Sequence, residues 1–264
     1  MSRASCLATA LVLAAAPASA WGPLAHQLVT AKTIDTLPGA LKSFYKAHRL
    51  EMPTLSLEPS FPDEGTERRF AVDRLLPFPF ADLPHDEKAF EARFPGAGIG
   101  RLPWLIHESY ARLVQAYKEG DKAKILAESD LLASLVTDLH NPLALTDNAD
   151  GQKTGQHGFW VRFATKLEEA MGKRLDLDPN AAVLVDDPEE YVFSMLNGAY
   201  VWVDNLLYQE ELARRGKAGY TEIYYESLML RAGQVVRWRL SQAAQDAGSY
   251  WYTAWTAAGR PDLK

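Results

Sequence analysis

Residues 121–140, with the sequence DKAKILAESDLLASLVTDLH, decide the fold. Apolar residues recur in this segment at helical spacing, as in Ile125/Leu126, Leu131/Leu132 and Leu135/Val136. Asp130, Ser134 and Asp138 are four residues apart, so they share one face of the predicted helix. Pro142 follows and ends the helix, because proline cannot continue it. The pattern predicts a long helix that presents a line of polar side chains.

Helical periodicity also dominates the rest of the chain, and strand-like alternation is almost absent. Further helices are predicted near residues 24–37, 104–118, 190–213 and 220–247, with another beginning near His157. Residues 51–84 are rich in proline and are predicted to form a long irregular segment. The sequence therefore predicts an all-α, multi-helix bundle.

Residues 1–20 have the features of a secretion signal. Arg3 lies near the start, an apolar stretch runs from residue 7 to 16, and Ala18-Ser19-Ala20 forms an A-x-A cleavage site. The apolar stretch is too short to span a bilayer, and no later stretch resembles a transmembrane segment. We expect a periplasmic or secreted protein with a signal peptide at 1–20 and one helical domain at 21–264.

Charge and cysteine content narrow the classes of partner and compartment. The chain of 264 residues has 34 acidic and 28 basic side chains, so a surface for duplex DNA is not expected. Cys6 is the single cysteine and lies inside the predicted signal. The mature chain would therefore form no disulfide, and its core alone would hold the fold.

Signal removal would also create a chemical group. Cleavage after Ala20 would expose the α-amine of Trp21, which with its own carbonyl oxygen offers two ligands to a metal. His26 follows five residues later, and Asp138 lies in the last turn of its predicted helix, where the helix dipole disfavours a carboxylate. Taken alone, Trp21 is equally well just the first mature residue. Taken alone, Asp138 is better interpreted as a solvated carboxylate at the end of its helix, and His157 as a capping or surface histidine.

Several short segments together resemble the superfamily of zinc-dependent phospholipases C and fungal single-strand nucleases, and most closely its bacterial phospholipase C-like branch. Their order and spacing carry the resemblance more than any one of them does. They are Trp21–His26, Leu37-Pro38, Leu57–Ser60, Pro103-Trp104, Asp138–Leu143, Gly151–Trp160, Trp251–Trp255 and Gly259–Pro261.

The resemblance implies a helical bundle around three clustered zinc ions that hydrolyses phosphodiester bonds. The first metal would take the Trp21 amine and carbonyl, His26 and Asp138. The second would share Asp138 and take a carboxylate, for which Glu58 is the candidate.

Much of the implied ligand set is missing from this sequence. Two histidine positions of the second metal are occupied by Arg69 or Phe70 and by Ser134. The third metal keeps only His157, because Ala144 and Val161 stand at its other positions. A catalytic zinc needs about three protein ligands and an open position. We therefore expect one zinc ion and weak activity.

Three functions remain open at this stage. The first is a metal-dependent phosphoester hydrolase that acts on a small phosphoester, a lipid headgroup or a single-stranded nucleic acid. The second is an inactive relative that serves as a binding or structural module. The third is a metal-free hydrolase that uses Glu58, Asp63, His140 or His157 as acid or base. If Arg69 projects into the pocket, its guanidinium could replace a lost cation and bind phosphate.

Overall fold

The computed structural model describes residues 20–58 and 65–263, and the secondary structure in these ranges is helical, without strands. The all-α multi-helix prediction is confirmed. Residues 1–19 of the predicted signal and Asp63 lie outside the described ranges. No helix in the described ranges has both the length and the apolar character needed to cross a membrane.

Ten α-helical segments are described, and a π-helical turn, Arg162–Leu167, joins the sixth to the seventh. They are α1 (Pro23–Thr36), α2 (Gly39–His48), α3 (Glu87–Arg93), α4 (Leu102–Glu119), α5 (Lys122–Leu139), α6 (Phe159–Val161), α7 (Glu168–Met171), α8 (Pro188–Tyr200), α9 (Val203–Arg214) and α10 (Glu222–Ala257). Short 3-10 turns occupy Arg49–Glu51, Pro53–Leu55, Thr66–Arg68, Val72–Arg74, Pro142–Leu145 and Gly172–Arg174.

Two helices differ from the sequence expectation. The segment predicted at 190–213 is divided into α8 and α9 at Val201-Trp202, where the Trp202 ring packs edge-on against Trp238 at 5.3 Å. The last helix, predicted to end near 247, continues to Ala257. It ends there because Gly259 adopts a φ of 90°, which glycine accepts without strain.

Helix α5 lies at the centre of the molecule and packs against α1, α4 and α10. Asp121 caps its N-terminus by accepting a hydrogen bond from the Lys124 backbone N–H at 3.1 Å. Because three helices surround α5, side chains from most of its circumference are buried, including the polar line Asp130, Ser134 and Asp138. The polar line predicted from the sequence therefore faces the interior.

An extended segment before α8 lies along α10 and is held by polar side chains of that helix. The backbone N–H groups of Asp178, Val183 and Val185 donate to hydroxyl groups at distances of 3.0–3.1 Å. These acceptors, together with a side-chain contact from Asn180, are spaced four residues apart on α10, at Ser241, Gln245, Ser249 and Thr253. Four residues of an α-helix rise about 6 Å along its axis, which is close to the length of two residues of extended chain. The spacing of the donors therefore matches the spacing of the side chains on α10.

Helices α1 and α10 approach closely at Gly248. A Cβ atom built at this position would lie 2.0 Å from the Thr36 hydroxyl oxygen and 3.3 Å from the Ala182 Cβ. Gly198 in α8 has no atom within 4 Å of the corresponding point. The two helical glycines therefore provide a matched pair.

We expect Gly248→Ala to lower the free energy of unfolding by about 1–3 kcal/mol, because the added methyl group must displace Thr36. Gly198→Ala should be neutral or stabilising by up to about 1 kcal/mol, since alanine is the better helix former. Urea denaturation of both variants measures the difference. Equal effects would show that the close packing at Gly248 contributes nothing to stability.

A buried charge cluster on α5

Four side chains from three elements meet beside the C-terminal half of α5. Ser134 and Asp138 come from α5, His26 from α1, and Arg68 from the 3-10 turn Thr66–Arg68. All four are buried; Arg68, at 6% exposure, is the most accessible of them. Packing of α1 against α5 brings His26 to this position, although it precedes Asp138 by more than a hundred residues.

His26 lies between the two α5 side chains. Its Nδ1 is 3.2 Å from the Ser134 hydroxyl oxygen, and its Nε2 is 3.3 Å from Asp138 Oδ1. Ser134 and Asp138 are one helical turn apart, so an imidazole can reach both with its two ring nitrogens. The result is a Ser–His–Asp arrangement inside the protein.

Arg68 closes the cluster from the other side. Its Nη2 donates to the Ser134 hydroxyl oxygen at 2.7 Å and also contacts Asp138 Oδ2. A buried carboxylate is costly unless a cation pairs with it, and the guanidinium supplies that cation. Asp138 therefore has Arg68 at one oxygen and His26 at the other.

The arginine in the cluster is Arg68 and not Arg69, which the sequence analysis considered for this role. Arg68 ends the 3-10 turn, whereas Arg69 has extended backbone (φ −130°, ψ 172°), so the two side chains leave the chain in different directions. The Arg69 guanidinium lies 4.7 Å from the Trp160 ring centroid, and its Nη2 is 3.5 Å from the Thr146 carbonyl oxygen. Phe70 is in the apolar core.

Trp21 precedes the first residue of α1 by two positions and is fully buried. Its ring packs against Phe163 with the centroids 5.2 Å apart. The carbonyl oxygen of Ala20 accepts a hydrogen bond from the side chain of Asn141, whose backbone N–H donates to Asp138 O at 3.0 Å. The structure therefore brings Trp21, His26 and Asp138 to one end of α5.

The other two predicted ligands lie elsewhere. Glu58 is exposed at the end of a described range. The His157 side chain is also exposed, while its carbonyl oxygen accepts a hydrogen bond from Arg162 at 2.7 Å. Neither side chain joins the charge cluster.

His140, considered as an acid or base, belongs to a separate buried network. Its Nε2 is 3.0 Å from Asp246 Oδ2, and its Nδ1 is 2.5 Å from Arg239 Nη2. Burial, followed by the nearby Arg239 charge, lowers the pKa of His140 to about 4. Tyr191 donates to the other oxygen of Asp246 at 2.8 Å. This network ties the end of α5 to α8 and α10.

Two buried carboxyl groups flank the cluster. Burial raises the pKa of Asp130 to about 6, although Thr54 donates to its Oδ2 from both the backbone N–H and the hydroxyl. Burial likewise raises the pKa of Glu168 to about 7, although the Ala25 N–H donates to it at 2.8 Å. A protonated His26 would oppose both shifts. Glu168 does not stand out in the sequence, because Glu168-Glu169 resembles the exposed start of a helix.

The described residues do not fit the three-metal arrangement that the resemblance implies. They contain no group of three or more His, Cys, Asp or Glu side chains placed to hold a metal ion. Arg68 also occupies one oxygen of Asp138, the residue that would bridge two metals. A single zinc does fit the donor types of His26, Asp138 and a free Trp21 terminus. The 3.3 Å between His26 Nε2 and Asp138 Oδ1 equals the separation of two ligands bound tetrahedrally at ~2.0–2.1 Å.

Comparison with known proteins adds no family assignment. A scan against protein-family models and a search of curated proteins each found no match to this chain.

Glu168 should make stability depend on pH in a defined direction. Its pKa is raised from 4.5 to about 7 on folding, so the native state binds a proton more tightly than the unfolded state. Its contribution to stability is complete below pH 4.5 and is lost as the pH rises through about 7. Glu168→Gln removes this dependence.

Urea denaturation between pH 4 and pH 8 tests the sign. The free energy of unfolding of the wild type minus that of Glu168→Gln should fall as pH rises, by up to about 1.4 kcal/mol per pH unit. Glu169→Gln, an exposed neighbour with the same change of charge, should give a curve parallel to the wild type. A flat difference for Glu168→Gln would show that its carboxyl group does not retain the proton in the native state.

Proposed function

We propose that this chain is an exported phosphoester hydrolase-like protein whose cationic centre is the guanidinium of Arg68. The observation that carries the proposal is the position of Arg68 Nη2, 2.7 Å from the Ser134 hydroxyl and in contact with Asp138. Phosphoester hydrolysis develops negative charge on phosphoryl oxygens, and a fixed cation in a water-poor site stabilises that charge. Arginine suits this task because its planar fork matches the geometry of phosphate.

The sequence resemblance supports the reaction class. Asp138 and Ser134 are the positions where the superfamily pattern implies a bridging aspartate and a zinc-bound histidine. Arg68 contacts both side chains, so a permanently charged guanidinium lies beside two residues for which the pattern implies metal ligands. The substrates in view are a small phosphodiester, a lipid headgroup or a single-stranded nucleic acid, in the periplasm or outside the cell.

One zinc ion beside Arg68 is a variant of this proposal. Trp21, His26 and Asp138 would hold it after removal of residues 1–20, and the 3.3 Å between His26 Nε2 and Asp138 Oδ1 favours it. A bound zinc would polarise a phosphoryl oxygen and lower the pKa of a bound water. Any residue retained before Trp21 would abolish this mode, because an amide nitrogen is not a ligand at neutral pH.

A second candidate function is an inactive binding or structural module. The closure of the cluster favours it, since His26, Ser134 and Asp138 are each at most 1% exposed. In this case Arg68 stabilises the fold by neutralising Asp138, and no metal is required.

The decisive assay uses the chain beginning at Trp21, with and without a chelator, acting on bis(p-nitrophenyl) phosphate. We expect turnover that survives the chelator and falls at least about 100-fold in Arg68→Gln, by analogy with loss of one charge-stabilising donor. Arg68→Lys, which keeps the charge, should retain part of the activity. Circular dichroism verifies that each variant is folded.

Arg69→Gln provides the matched control, because it removes the same charge from the adjacent residue and its side chain lies at Trp160. It should turn over substrate like the wild type. If activity vanishes with chelator and returns with zinc, the one-zinc variant is favoured over the Arg68 centre. No turnover and no bound metal in the folded chain would favour the inactive module.

A further inference from the structure

We infer that Ser134 is a nucleophile, that His26 is its general base and that Asp138 positions His26. This inference rests on the proposed hydrolase function and names the residues that would perform it without a metal. The superfamily pattern implies a metal ligand at position 134, so a serine nucleophile would be a different chemistry at the same place in the fold. Contacts within the cluster carry the argument.

The first contact leaves the Ser134 hydroxyl proton available for donation to His26. Arg68 Nη2 lies 2.7 Å from the hydroxyl oxygen, and a guanidinium can only donate. The oxygen therefore accepts from Arg68, and its own proton is available to His26 Nδ1 at 3.2 Å. This is the relation of a nucleophile to its base.

The second contact places a carboxylate beside the imidazole. With Nδ1 as acceptor, the proton of neutral His26 is on Nε2, which faces Asp138 Oδ1 at 3.3 Å. A carboxylate at this distance stabilises the imidazolium that forms during proton transfer. The ring nitrogens are exchanged relative to the usual serine triad, but the roles depend on geometry and not on the label of the nitrogen.

The contact between Arg68 and Ser134 also places positive charge at the reacting centre. Arg68 is close to the attacking oxygen, where a bound phosphoryl group would carry negative charge. Buried Ser129 lies in the same helix, but its hydroxyl contacts Tyr45 at 2.5 Å. Among the described residues, Ser134 is the serine whose hydroxyl contacts a histidine.

The reaction would proceed in two displacements. The Ser134 oxygen forms a bond to phosphorus while its proton moves to His26 Nδ1, and the bond from phosphorus to the leaving alcohol breaks. The alcohol takes the proton from His26 and departs, and the Ser134 oxygen remains bonded to phosphorus as a phosphodiester. Water then attacks phosphorus and gives a proton to His26, and the released Ser134 oxygen recovers that proton.

The two chemistries proposed for the cluster exclude each other at His26. Zinc on Nε2 would require the proton on Nδ1, and His26 would then donate to Ser134 instead of accepting from it. The nucleophile therefore belongs to the metal-free chain. For this reason the test is performed in chelator.

Diisopropyl fluorophosphate tests the nucleophile directly, because a reactive serine displaces fluoride and keeps the phosphoryl group. We expect the chain beginning at Trp21 to be modified at Ser134, as located by fragmentation of the tryptic peptide that also contains Ser129. Ser129 is the internal control and should remain unmodified. A known serine hydrolase in the same tube verifies the reagent.

Variants of His26 and Asp138 distinguish a loss of Ser134 reactivity from a loss of folding. His26→Asn, verified as folded by circular dichroism, should slow modification by at least about 100-fold, the usual contribution of a general base. Asp138→Asn should also slow it, and Asp138→Glu should restore part of the rate, which a purely structural role would not explain.

No modification of Ser134 in the folded wild type, or an unchanged rate in His26→Asn, would overturn the inference. Turnover of the chromogenic diester without modification of Ser134 would keep the proposed function and reject this nucleophile. Modification of Ser134 without diester turnover would keep the nucleophile and reject the substrate class.

Discussion

The contact between Arg68 and Asp138 is the constraint on which the site depends. Asp138 is completely buried on the central helix, so its charge must be neutralised by a neighbour. Removing one partner of such a pair costs about 3–5 kcal/mol, because the other is left as an uncompensated charge. The same pair fixes the position of the Thr66–Arg68 turn against α5 and places Arg68 beside Ser134.

Charge neutralisation gives a simple physical account of the cluster. The buried carboxylate of Asp138 needs a positive neighbour. An arginine from a nearby turn meets that need with a permanent charge and with directional hydrogen bonds. The flanking carboxyl groups of Asp130 and Glu168 respond differently, since burial raises their pKa and favours the neutral form.

The sequence was sufficient to predict most helices and the polar line on α5, because both follow from residue spacing. It also indicated Trp21, His26 and Asp138 as candidate site residues, and in the structure these residues lie at one end of α5. It could not select Arg68 over Arg69, because that choice depends on the backbone direction after a 3-10 turn. Glu168 was missed for a similar reason: only the packing of α7 near the start of α1 shows that it is buried.

The polar residues along α10 limit how this protein can vary. Ser241, Gln245, Ser249 and Thr253 meet the extended segment only because they recur every four residues on one side of the helix. Inserting or deleting one residue between them would rotate all later positions by about 100° around the helix axis. Related chains should therefore tolerate substitutions in this stretch far better than changes in its length.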